Sequence, residues 1–315
     1  MKNLIKITTS LLVLLIASFN LDMLNNVVSA AEIKSVVTTF YPVYYLAERI
    51  GGEVAEVSML IEGNQDAHDY ETSAQDAVAV QLADLFIYQD DEMEYFVPDL
   101  LTIIDTEGTL VLESTVGIEL LAGEDHTETA HHEEDEHHHE ASHNHDSDPH
   151  TWLDPMTYAQ QAMNVRDALI EIDPENQAIY EENAQTLVAE LEALDQEFKT
   201  QLSKREEKRI VVQHAAFAYL VNAYDLEQVA ITGLSTTQEP SARELAEMQN
   251  FVKEQQVSVI YIEPSLDEAI ANTVSSTSGA ELYPLRTLEM ISPEEIAAGA
   301  DYFSIMRDNL VELMR

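Results

Sequence analysis

The 315-residue sequence contains no cysteine. Disulfides, thiolate metal sites and a cysteine-linked lipid anchor are therefore excluded, and any bound metal must be held by imidazole and carboxylate. Basic residues are the next shortage. Fifteen Lys+Arg stand against 59 Asp+Glu, a formal net charge of −44. Such a surface repels phosphate backbones and anionic headgroups, which argues against nucleic acid as a partner and favours cations. Long hydrophobic runs are also missing: the apolar stretch near the N-terminus, Leu11 to Phe19, is too short to span a bilayer. It follows Lys2 and Lys6 and precedes Val28-Ser29-Ala30, so residues 1–30 read as a secretory signal cleaved before Ala31. The mature chain is expected to work outside the cytoplasm, extracellular at the cell surface or periplasmic, and not as a cysteine-linked lipoprotein.

After residue 30 the chain alternates short β-branched runs with helical spacing. Ser35–Phe40, Val54–Leu60, Leu85–Tyr88 and Thr109–Leu112 read as strands, and Val43–Ile50 and Ser73–Leu82 as helices. The alternation returns with strands at Arg209–Gln213, Gln228–Ile231, Val257–Ile262 and Glu281–Leu285. Helices are expected there at Phe217–Tyr224, Ser241–Glu254, Leu266–Ser276 and Ala300–Met314. This pattern predicts an α/β fold of two (β/α) lobes, each a parallel sheet covered by helices. Between them, Pro174 suits a first helical turn, and Ile179, Leu187, Leu191, Leu194, Phe198 and Leu202 keep helical spacing to about Lys204. Roughly thirty such residues would run about 45 Å. Glycine and proline are scarce in this tract, which makes it a stiff strut rather than a flexible linker. The expected organisation is a signal peptide (1–30), an N-terminal lobe (31–155) with a disordered His/acidic loop (122–147), helices including the linking one (156–208), and a C-terminal lobe (209–315).

Histidine is where the chemistry concentrates. Eight of the eleven histidines fall in one acidic low-complexity run: His126, His131, His132, His137, His138, His139, His143 and His145. The other three stand apart. His214 directly follows a strand and opens a helix, His68 lies in a loop past the second strand, and His150 sits in the proline-bracketed turn Asp148-Pro149-His150-Thr151-Trp152-Leu153-Asp154-Pro155. Ligands of parallel sheets bind at the carboxyl ends of strands, and imidazole is the commonest transition-metal ligand. An isolated histidine is more often a helix cap or a packed core group. Three at such positions, in an exported chain with a histidine-rich tract, favour a metal site instead. Glu263, after the strand Val257–Ile262, and Glu289, after the last strand, are the acidic residues placed to join them.

The stretches Thr39-Phe40-Tyr41-Pro42-Val43-Tyr44, His68-Asp69-Tyr70-Glu71, Asp148-Pro149-His150-Thr151-Trp152-Leu153, Gln213-His214-Ala215-Ala216-Phe217 and Gly233-Leu234-Ser235…Glu239-Pro240-Ser241-Ala242 resemble, in order, the zinc-binding solute receptors of ABC importers. The resemblance covers nearly all of the mature chain. It implies two lobes joined by one long rigid helix, with the metal in the inter-lobe cleft. The family's motif histidines fall on His68, His150 and His214, and its carboxylate ligand falls on Glu289, with Glu263 in reserve. The chain departs from the family in having Ala67 where proline usually precedes the first ligand. It also lacks a lipoprotein cysteine, and no additional C-terminal zinc-binding domain is expected.

Three imidazoles and one carboxylate make a closed tetrahedral set suited to Zn2+. Manganese and iron receptors of the same fold place a carboxylate where His214 stands. The run from Glu124 to Asp148 supplies ten of the negative charges and contains a literal H-E-x-x-H, His139 to His143, but lacks the apolar helix face that a zinc hydrolase needs. It reads as a disordered, solvated loop whose histidines either form accessory weak zinc sites near the cleft or take no part in transport. The expected protein is a monomeric zinc receptor delivering its ion to the membrane permease of an ABC importer, and not an enzyme. A manganese or iron receptor, a secreted zinc hydrolase and a surface adhesin are the alternatives.

Overall fold

Eight short strands supply the frame, and the alternation of the sequence sets their pairing. β1 (Lys34–Thr38), β2 (Ala55–Met59), β3 (Leu85–Tyr88) and β4 (Leu110–Glu113) form one parallel sheet in the order β2-β1-β3-β4. β5 (Arg209–Val212), β6 (Glu227–Ala230), β7 (Val259–Ile262) and β8 (Glu281–Pro284) form the second, in the equivalent order β6-β5-β7-β8. Every residue of β3 is buried, as expected of a strand covered on both faces. The computed structural model describes residues 33–63, 65–123, 147–234 and 240–315. The expected signal peptide and the eight histidines of the acidic run lie outside the described residues. Among the described residues, no helix is long and apolar enough to cross a membrane.

In the first lobe the strands alternate with α1 (Tyr41–Gly51), α2 (Ala74–Leu82) and α3 (Phe96–Ile103). Ser73 and Asp76 close a capping box that starts α2 where the sequence places it. The second lobe carries α6 (Ala218–Ala223), α7 (Ala242–Glu254), α8 (Ala269–Ser278), α9 (Pro293–Ala297) and α10 (Tyr302–Leu313). Two helices lead from one lobe to the other, α4 (Pro155–Ile172) and α5 (Gln177–Leu202).

The 26 residues of α5 span about 39 Å. Its buried stripe is Tyr180, Ala184, Leu187, Leu191, Leu194, Phe198 and Leu202. Ile179, expected on that stripe, is 40% exposed. Tyr180 takes the inward place because a spacing of four and three residues continues to it, and its hydroxyl bonds the Asp173 carboxylate at 2.8 Å. Among the described residues the largest apolar core runs through both lobes. It includes Val36, Leu46 and Leu85 from the first lobe, the α5 stripe, and Ile210, Val212 and Leu313 from the second. Smaller clusters fill the outer faces of each sheet.

Candidate metal centre

Four separate segments deliver one group each to the space between the lobes. His68 rides on a single 3₁₀ turn, Ala67–Asp69, held by Asp66, whose side chain accepts from the His68 backbone N–H at 2.9 Å. Ala67, standing where the resembled family has proline, is itself buried and helps seat the turn. His150 follows Pro149 in a turn tied to the end of β3: Gln89 Nε2 donates to Pro149 O and to Thr151 Oγ1, both at 2.7 Å. His214 leaves the end of β5. Glu289 stands in the loop after β8, directly behind Leu288, whose φ of 67° is the left-handed conformation a leucine rarely adopts. Leu288 is buried, and packing holds it in this turn.

His68, His150, His214 and Glu289 converge, with one ligand atom from each lying within 4.8 Å of all the others. His150 Nε2 is 3.4 Å from Glu289 Oε1 and 3.5 Å from His214 Nε2. Glu289 lies 3.9 Å from His214 Nε2 and 4.0 Å from His68 Nε2. A tetrahedral ion with bonds of about 2.0–2.1 Å separates its ligand atoms by about 3.3–3.5 Å. Two of these separations already match, and the other two need a contraction of about half an ångström. All four side chains are fully buried. Neither Glu289 oxygen has a hydrogen-bond partner, a costly arrangement for a buried carboxylate unless a cation meets it.

Two further carboxylates stand behind the imidazoles. Asp148 Oδ1 takes both the backbone N–H of His150 at 2.8 Å and its Nδ1 at 2.7 Å. Glu263 Oε1 takes Nδ1 of His214. Glu263, the reserve ligand of the sequence reading, is therefore outside the converging set and backs His214 from the protein side. Sequence reasoning missed the part played by Asp148, although a carboxylate two residues ahead of a ligand histidine was its signal.

These contacts set the protonation. Burial disfavours the charged form of His150, yet the charge and hydrogen bond of Asp148, joined by the charge of Glu289, outweigh it and push the imidazole up to about 10. His214 is also raised: burial opposes the charge, and Glu263 overcomes it. For Glu289, burial would raise the carboxyl, but His150, with His214 and His68, holds it down at about 2. Without metal, the site at neutral pH is an ionised carboxylate balanced by protonated imidazole.

The chain matches, over residues 36–315, the family described as zinc-uptake complex component A, periplasmic. It is 37% identical over 279 residues to the zinc-binding lipoprotein AdcA of Streptococcus pneumoniae serotype 4, covering 89% of this chain and 55% of that one. It is 36% identical over 275 residues to the high-affinity zinc uptake system protein ZnuA of Bacillus subtilis, covering 87% and 85%. The crystal structure of the Zn(II)-bound ZnuA-like domain of Streptococcus pneumoniae AdcA superposes with a TM-score of 0.76 at 35% identity, over 90% of this chain and 98% of that one. The laminin binding protein Lmb of Streptococcus agalactiae, described as bifunctional with adhesin and metal transporting activity, also gives 0.76 at 30% identity, over 89% and 98%. The chain thus spans about half the length of the AdcA relatives it matches.

Proposed function

The chain belongs to the zinc-uptake complex component A family, and on that premise we propose that it is an extracytoplasmic receptor that binds Zn2+ and hands it to the membrane permease of an ABC importer. The observation that carries the reading is the buried convergence of His68, His150, His214 and Glu289 at nearly tetrahedral spacing. These four residues are the proposed ligands. Three imidazoles and one carboxylate satisfy zinc fully, and the set leaves no open position for an activated water. Hydrolysis is therefore disfavoured, and binding and release are the function. A manganese or iron receptor would need harder oxygen ligands, which His214 opposes. The Nε2 atoms face the ion while Asp148 and Glu263 hold the far side of two rings, so the ion is gripped from both lobes.

The test is chelator-competition titration of the purified protein with zinc and with manganese, together with single alanine variants of the four residues. One tight zinc per chain, weakened in every variant, is expected. A variant binding as tightly as the parent removes that residue from the site, and tighter binding of manganese than of zinc overturns the zinc reading. The likeness to Lmb supports a second role, adhesion at the cell surface, which immobilised laminin and the purified protein test directly.

A further inference from the structure

Glu263 has both oxygens engaged. Its Oε1 takes Nδ1 of His214, and its Oε2 accepts a 2.7 Å hydrogen bond from Thr287 Oγ1. The Thr287 carbonyl in turn accepts the indole Nε1–H of Trp152 at 2.6 Å. Trp152 belongs to the turn that carries His150, and its ring centroid lies 5.3 Å from that of His150. A chain of hydrogen bonds thus runs from the His150 turn on one lobe, through Thr287 and Glu263, to His214 on the other. Glu263, Thr287 and Trp152 are all buried, so water does not complete these bonds in their place.

The directions along the chain are fixed by chemistry. An indole N–H can only donate, and a threonine hydroxyl facing a carboxylate donates to it. The Glu263 oxygens accept from Thr287 Oγ1 and from the ring, so the hydrogen between Glu263 and His214 sits on Nδ1 and the Nε2 lone pair is left for the ion. The Glu263 backbone N–H is held by Gln213 Oε1 at 3.2 Å, which fixes the carboxylate from its main-chain side.

We infer that Glu263 and Thr287 are positioning residues for the metal site: they hold His214 in the tautomer and ring orientation that offers Nε2 to the ion, and they lock that orientation to the turn bearing His150. The inference deepens the zinc-receptor reading and rests on it. Thr287 lies two residues before Glu289, so the same link also sets where the ligand carboxylate begins its turn. Carboxylate partners of this kind affect metal affinity by about 10–100-fold. Glu263→Gln should weaken zinc binding by that factor. Thr287→Val, which keeps the shape and removes the hydroxyl, should weaken it in the same direction, and Thr287→Ser should restore it.

The experiment uses the whole chain, zinc with a competing chelator, and the nitrogen-15 spectrum of histidine in the zinc-loaded state, with His214 assigned by its absence in His214→Ala. The parent should show a protected, downfield Nδ1–H for His214. Thr287→Val should move it towards solvent-exchanging values, and Thr287→Ser should return it. Parent-like zinc affinity and an unmoved His214 resonance in Thr287→Val overturn the inference, even where Glu263→Gln does not fold. Equal weakening in Thr287→Val and Thr287→Ser also overturns it, since packing alone would then explain the loss. A parent without a tight zinc overturns the zinc reading itself, whereas a tight parent with equally tight variants overturns only the positioning role.

Discussion

Zinc binding should release protons and tighten steeply with pH across a range where free imidazole has finished titrating. An ordinary histidine, with a pKa near 6.5, would leave affinity almost flat above pH 7. His150 departs from that because Asp148 and Glu289 outweigh burial and hold its pKa at about 10. At pH 7 the metal-free ring is then protonated roughly a thousand times more often than not, and expelling that proton uses on the order of 4 kcal/mol of the binding energy. Affinity should rise by about tenfold per pH unit from 7 to 9, and more steeply wherever His214, also raised, must give up a proton. Glu289, held at about 2, contributes nothing to this slope because it is already ionised. The same linkage runs oppositely in the metal-free protein. A raised folded pKa gives stability that is complete below the unfolded value near 6.5 and is lost as pH climbs towards 10. Calorimetry in buffers of different protonation enthalpy should count at least one proton released per zinc at pH 7.5. No released proton, together with constant affinity from pH 7 to 9, would refute the reasoning.

His214→Asp should shift preference from zinc towards manganese, because a hard oxygen replaces imidazole; it also faces the Glu263 carboxylate with a like charge, so the metal-free melting temperature should fall. Competition between the two metals reads the first effect, and an unchanged ranking would show that His214 does not set metal choice. Glu94 is buried with its carboxyl accepting from Thr39 Oγ1 at 2.5 Å, and burial lifts it to about 8. Its contribution to stability is complete below the ordinary value of 4.5 and is lost as pH rises from there to about 8, so Glu94→Gln should flatten the fall of melting temperature between pH 5 and 8; an identical slope would contradict this. Leu191→Ala, in the centre of the α5 stripe, should cost about 2–5 kcal/mol in denaturant unfolding of the metal-free protein, whereas a loss below 1 kcal/mol would mean the helix is not braced by the core.

The strands were legible in the sequence to within one or two residues, since a buried parallel strand leaves a compact apolar run such as Leu85–Tyr88. The helix α3 (Phe96–Ile103) was not. It is short, carries Pro98 inside its first turn, and buries only Val97 and Leu100, too few positions to establish a period. The three isolated histidines announced themselves by local motif and by their place at strand ends. Choosing between Glu289 and Glu263 lay beyond such reasoning, because both follow strands of the same sheet. Their roles separate only through contacts 49 and 24 residues away along the chain, from His214 and Thr287 to Glu263. Nor does anything in the sequence foretell the left-handed Leu288, which tertiary packing imposes against its own preference.

The apolar core shared by the two lobes bears on how an ion gets in and out. Two lobes that share Tyr180, Leu187, Leu194 and Phe198 with one another's packing cannot swing apart like a clamshell without wetting that shared interior. The segments that carry the ligands are tied into the same interior, through Ala67 beside His68 and through Leu285, Leu288 and Ile291 around Glu289. The ligands therefore share the stiffness of the frame, and an arriving ion meets groups that lose little further freedom on binding it.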